Sequence, residues 1–141
     1  MSASLIAALC FTGAWLVTTT YFVMGSVPLL ILEHDTPMDA RFVGGFFNTY
    51  YLAALFSAGA TALSYAVAGR WGFAAGAAGL ALLAATLHRT VIPKMASLGA
   101  QIEVVGKTAI TAFRRLHGAV ILINLVQLVP MVWSLIVVSR Q

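Results

Sequence analysis

At 141 residues the chain has the length of one domain. Apolar residues make up 61% of it and charged residues 9%, against about 45–50% and 25% in soluble domains, which excludes a water-solvated globule. The formal net charge is +4, but there is no basic stripe with interleaved aromatics, so nucleic acid is not expected as a partner.

Charged residues delimit four apolar runs, and each is long enough for a helix of about 20 residues to cross about 30 Å of hydrocarbon. The first covers 5–32. Its opening, Met1-Ser2-Ala3-Ser4, lacks the basic start of a signal peptide, and the run exceeds a signal's apolar core, so it reads as a retained helix. Cys10 lies within it and is expected to be a buried, inert thiol; a single cysteine forms no internal disulfide. The second run, 42–69, carries Ser57, Thr61 and Ser64 on one face as interhelical hydrogen-bonding groups, with Asn48 on the opposite side.

The third run, 71–92, is rich in small residues. Gly72, Gly76 and Gly79 form one ridge, and Ala74, Ala77, Ala81 and Ala84 form a second stripe. Small residues let helices approach closely in lipid, so this span is expected to be the most enclosed. Val27-Pro28 and Ile92-Pro93 fall at the ends of the odd-numbered spans, where proline stops or kinks a helix; a faint two-plus-two duplication and chance account for this equally.

Between the third and fourth spans, Met95, Leu98, Ile102, Val105, Ala109 and Ala112 recur at helical spacing. The pattern predicts an amphipathic helix over 94–113 lying along the headgroups, with a cytoplasmic extension of the fourth helix as the competing reading. Within it Val105-Gly106-Lys107-Thr108 resembles the end of a P-loop, but Gln101 stands where the first glycine is required. The fourth run is 116–139. The expected fold is therefore all-α, a single integral membrane domain over 1–141: a four-helix transmembrane bundle with an amphipathic interfacial helix between spans 3 and 4. Strands are excluded because an open sheet edge in lipid leaves backbone groups unpaired.

Four spans put both termini on one face with Arg70 and Arg140. The other face carries Arg41, Arg89, Lys94, Lys107, Arg114 and Arg115, and this excess predicts that it is cytoplasmic, with the termini outside a bacterial-type inner membrane. Trp15, Tyr65, Trp71 and Trp133 are expected at the terminal-side interface, and Phe42, Phe46, Phe47, Tyr50 and Tyr51 towards the cytoplasmic one.

All three histidines and all four acids gather at the basic face. His88 and Arg89 end the third run, Arg114, Arg115 and His117 open the fourth, and Glu33, His34, Asp35 and Asp39 follow the first. His117 and Asn124 fall on nearly the same helical face, with Gln127 close by, and such a stripe should point into the bundle rather than at lipid. His88 continues the alanine stripe and should face inward at similar depth. Two inward imidazoles hydrogen-bond backbone carbonyls, handle a proton or small ligand, or ligate haem iron or copper, and all three readings stay open. The metal candidates are His88, His117 and His34; the arginines pair with the nearby acids or bind lipid phosphate.

Gly25-x-x-Pro28, Val91-Ile92-Pro93-Lys94-Met95-x-x-Leu98, and above all Phe113-x-x-Leu116-His117-Gly118 followed by Asn124-Leu125 resemble a family of small four-helix membrane proteins of uncharacterised function. It is the family that includes the human transmembrane protein linked to cisplatin resistance, and the resemblance covers nearly the whole chain. Val120 stands where that family tends to have serine. More distant likenesses are to copper-resistance membrane domains, to a haem-containing porphyrinogen-oxidising membrane protein and to small proteins of the anthrone-oxygenase type. The resemblance implies, at its edges, metal or oxygenase chemistry, without assigning ligands. The reading of the residues is a non-enzymatic accessory or small-solute-handling bundle. Its polar site comprises His88, Arg89, Arg114, Arg115, His117 and Asn124, and no cofactor is expected, with haem or copper as the alternatives. Its partners are the lipid bilayer and a larger membrane complex or further copies of itself.

Overall fold

In a computed structural model, which describes residues Met1–Arg140, four helices follow one another with short connections: α1 (Ala3–Leu29), α2 (Pro37–Val67), α3 (Trp71–Val105) and α4 (Lys107–Ser139). Each is long and apolar enough to cross a bilayer, as a multi-pass membrane protein requires. Each packs mainly on its neighbours in the chain and α4 returns to α1, so the four close into a ring of antiparallel helices. Large apolar side chains such as Val17, Phe56, Leu63, Leu82, Leu122 and Val129 point outward. Trp15, Phe22, Phe47, Tyr51, Phe113 and Met131 fill the interior.

The helix ends follow from local chemistry. Ser2 caps α1, its Oγ accepting from the Leu5 amide at 3.3 Å. Thr36 caps α2 by accepting from the Asp39 amide, with Pro37 at the first helical position and Asp39 against the positive end of the dipole. Past the end of α2, Gly69 takes φ +73°, its amide donates to Ala66 and the Arg70 amide donates to Tyr65, which is the paired hydrogen-bond pattern of a Schellman stop. Gly106 alone reverses the chain between α3 and α4, at φ 64° and ψ −128°, a conformation that side-chain-bearing residues avoid.

The amphipathic segment is not a separate interfacial helix. Its first part is the C-terminal end of α3 and its last part opens α4, broken at Gly106. At about 1.5 Å per residue, the 35 residues of α3 outreach the hydrocarbon, so α3 and α4 project together as a helical hairpin. The periodicity is real, but its apolar face turns onto the bundle: Met95, Gly99, Ile102, Ala109 and Phe113 are buried. Pro93 does not end α3, which continues to Val105, so the proposed duplication loses one of its two marks.

Three further expectations change. A Cβ built on Gly72, Gly76 or Gly79 meets nothing within 4 Å, so the glycine ridge leaves space rather than joining helices, and α3 is the least enclosed helix while α2 is the most. The alanine stripe does face inward, with Ala74, Ala77 and Ala84 buried. Of the aromatics expected at the interfaces, Trp71 and Trp133 are exposed, but Trp15, Tyr65, Phe47, Tyr50 and Tyr51 are core residues. Cys10 is exposed on the bundle's outer surface rather than buried.

The closest approach at a glycine is at Gly99, where an added Cβ would sit 2.9 Å from the Cβ of Ala40 on α2, against 3.0 Å from the Phe46 ring at Gly25. Gly99→Ala is therefore expected to destabilise the bundle by about 1–3 kcal/mol through overpacking. Unfolding in mixed micelles should show this loss partly recovered by adding Ala40→Gly. Gly59→Ala, where nothing lies within 4 Å, should cost nothing measurable.

Candidate functional site

Two residues of α4, one turn apart, hold the end of α1. His117 donates from Nε2 to the Ser26 carbonyl at 3.1 Å, and Arg114 donates from Nη2 to the Leu30 carbonyl at 3.1 Å. Both carbonyls belong to the last turn and C-cap of α1: Ser26 already accepts from the Leu30 amide at 3.2 Å and takes His117 as a second donor, whereas the Leu30 carbonyl lies past the last helical donor, where a cation also favours the dipole. The chain then turns into the 30–36 connection and drives His34 inward. His34 is the non-glycine residue with positive φ among the described residues, at 54°, and its side chain is 0% exposed. Histidine is among the residues that tolerate this region, at a cost of about 1–2 kcal/mol offset by burying the ring.

The His34 ring lies 5.3 Å from Phe113 and 5.7 Å from His117, edge-on to the latter at 88°. Phe47 of α2 closes the other side of His117, at 4.9 Å. Both imidazoles are thus sealed by aromatic rings. With Nε2 of His117 donating, its Nδ1 is a lone-pair acceptor, and it has no partner. Neither nitrogen of His34 has one either. A buried polar atom without a partner costs about 1–3 kcal/mol, so three on two neighbouring rings make this pair the candidate site.

Burial holds the His34 ring below the ordinary imidazole value of 6.5, and the positive charge of Arg114 adds to this. The Leu32 backbone, short of hydrogen-bond geometry, and the Asp39 carboxylate pull the other way. The folded state therefore prefers His34 neutral.

A second polar set crosses the bundle deeper in. Tyr50 Oη donates to Asn124 Oδ1 at 2.6 Å, so its partner at 3.2 Å, Thr19 Oγ1, donates to it. Asn124 Nδ2 donates in turn to the Val120 carbonyl at 2.8 Å. One network thus joins α1, α2 and α4. His88 belongs elsewhere: its Nε2 is 2.8 Å from Asn48 Oδ1 and its nearest ring is Tyr51, both on α2. Arg89 and Arg115 are exposed.

The structure therefore brings His117 together with His34, and gives His88 a different partner. Arg114 meets a backbone carbonyl rather than a carboxylate. Asn124 shares the buried face of α4 with His117 and Gln127, as its spacing predicts. The sequence reading underrated His34 and did not single out Ser26, Tyr50 or Thr19. A seven-residue connection has no periodicity to read, and Ser and Thr in a span look alike whether or not a tyrosine faces them. Among the described residues, no three His, Cys, Asp or Glu side chains gather as a metal group. No family, curated protein or solved structure matches the chain.

The neutral preference of His34 sets the sign of a pH dependence. A base whose folded value is depressed contributes stability that is complete above 6.5 and lost as pH falls through 6.5 towards the folded value. Thermal unfolding of the micellar protein in chelator is expected to shift to lower temperature across that acid window. His34→Phe, which keeps a buried ring without a titrating nitrogen, should reduce the shift.

Proposed function

We propose that this protein is a non-enzymatic membrane bundle that handles a small solute at its basic face, with the His34–His117 pair as the binding centre and Arg114 at its rim. The single observation that carries this reading is the set of three unpartnered ring nitrogens enclosed by Phe47 and Phe113. Such a centre offers lone pairs and one exchangeable N–H in a dry surrounding.

One observation favours a second reading, that the solute is copper. A ligating imidazole characteristically donates its other nitrogen to a carbonyl, which fixes the tautomer and aims the free lone pair. His117 does this through Ser26. Two imidazole nitrogens suit a low-coordinate cuprous ion, and the second ligand would be His34 rather than His88, whose Nε2 is engaged by Asn48. Haem fits this pair less well, because a porphyrin plane would have to displace the phenyl rings packed on both imidazoles.

Competitive titration of cuprous ion against a chromophoric chelator tests the copper reading and the assignment to the 34–117 pair. Near-stoichiometric binding that is lost in His34→Ala and in His117→Ala but kept in His88→Ala supports copper. Binding by none of the proteins removes copper and leaves the solute reading to be tested with other small ligands. Binding lost only in His88→Ala overturns the assignment to the 34–117 pair.

The basic face is taken as cytoplasmic on the excess of Lys and Arg there, in a bacterial-type inner membrane. A phosphatase fused after Gln141 should then be active outside the cytoplasm, and a fluorescent reporter that folds only in the cytoplasm should stay dark at that position.

A further inference from the structure

At the end of the bundle opposite the histidines, a cavity of about 320 Å³ lies between all four helices. Gly72 and Gly76 of α3 and Pro130 of α4 stand at its edge, exposed to lipid, and no Cβ closes the gap on the glycines. Its inner wall is different. Trp15 of α1 and Thr61 of α2 both line it and are 2% and 1% exposed, yet Trp15 Nε1 and Thr61 Oγ1 have no hydrogen-bond partner. Tyr65, Phe73 and Trp133 supply an aromatic side, their rings 5.4 and 5.7 Å apart in succession. No charged residue lines the space.

We infer that this cavity binds a neutral, membrane-soluble molecule that presents a carbonyl oxygen to Trp15 and Thr61 and a planar ring to the aromatic wall, entering sideways from the lipid between α3 and α4. An indole N–H only donates, so its missing partner must be an acceptor. The Thr61 hydroxyl adds a second donor. The uncharged lining excludes ions, because an unpaired charge there would be stranded in a low-dielectric site. The lateral gap past Gly72 and Gly76 gives lipid-dissolved molecules access without passing the polar face. The site shares no residue with the histidine centre, so either can fail without the other.

Fluorenone, a neutral planar ketone, is the probe, and fluorene is its oxygen-free counterpart. Binding to the purified full-length chain in phosphatidylcholine nanodiscs is followed by tryptophan quenching and by the infrared carbonyl stretch. Fluorenone should bind saturably, with its carbonyl stretch lowered by hydrogen bonding, and at least about tenfold more tightly than fluorene. Trp15→Phe keeps the ring and removes the N–H; it should abolish the carbonyl shift and weaken binding by about tenfold. Gly76→Leu fills the opening at an exposed helical position and should block binding while leaving the unfolding temperature unchanged. Equal binding of fluorene, an unchanged affinity in Gly76→Leu, or a carbonyl shift that survives Trp15→Phe would each overturn the inference.

Discussion

Lipid offers no hydrogen bonds, and that constraint organises this molecule. Backbone groups are satisfied within helices, which leaves the side chains and the helix ends to be settled individually. Six hydroxyls resolve the matter locally: Thr12, Thr18, Ser26, Thr49, Thr86 and Thr90 each donate to the carbonyl four residues back. The polar groups that do not turn back on their own helix are the ones that join helices or remain open. Thr19, Tyr50 and Asn124 join three helices, and His117 and Arg114 complete the end of α1. The open ones cluster around His34 and His117 at one end and around Trp15 and Thr61 at the other, with Tyr51 and Gln127 each contributing a single unpartnered atom besides.

The small residues of α3 show how the same composition serves two purposes. In the alanine stripe, the methyls of Ala74, Ala77 and Ala84 meet the bundle and are buried, and that of Ala81 is partly so. In the glycine ridge, nothing comes near, and the absent side chains become volume. Sequence spacing cannot separate these outcomes, because both follow from a lack of bulk. What decides is where the neighbouring helix runs: α3 lies firmly against α2 and only loosely against α4. The glycines fall on the loose side. The tight glycine is Gly99, beyond the hydrocarbon, where α2 and α3 close against each other through Ala40.

Apolar run length made the four helices legible, since lipid imposes a minimum that few other structures meet. The inward stripe of His117, Asn124 and Gln127 was legible for a related reason, because lipid would penalise the opposite orientation. Less could be read where lipid stops acting. From 94 to 113 the periodicity reported an apolar face truly, but could not say whether headgroups or α2 would cover it. Aromatic placement misled in the same way: Trp15, near the middle of α1, and Tyr65, near the end of α2, both turn inward, because position along a helix does not specify azimuth. His34 lay furthest from reach, since a connection buries a side chain only when two packed helices leave it room.

The two open polar sites are kept apart by aromatic stacking. Phe22 lies 3.9 Å from Tyr50, nearly parallel, and 4.8 Å from Phe47, edge-on, while Phe47 is the ring that closes over His117. Beyond this layer the hydroxyl of Tyr50 is already committed to Asn124. A proton or ion leaving the histidine pair towards the far end of the bundle thus meets phenyl rings first and a saturated hydrogen-bond network next. Neither offers a replacement for the ligands it would leave behind. The unpartnered nitrogens of the histidine pair and the cavity lined by Trp15 and Thr61 are thus separate polar environments. In a chain this short, one layer of rings contributed by α1 and α2 is enough to separate them.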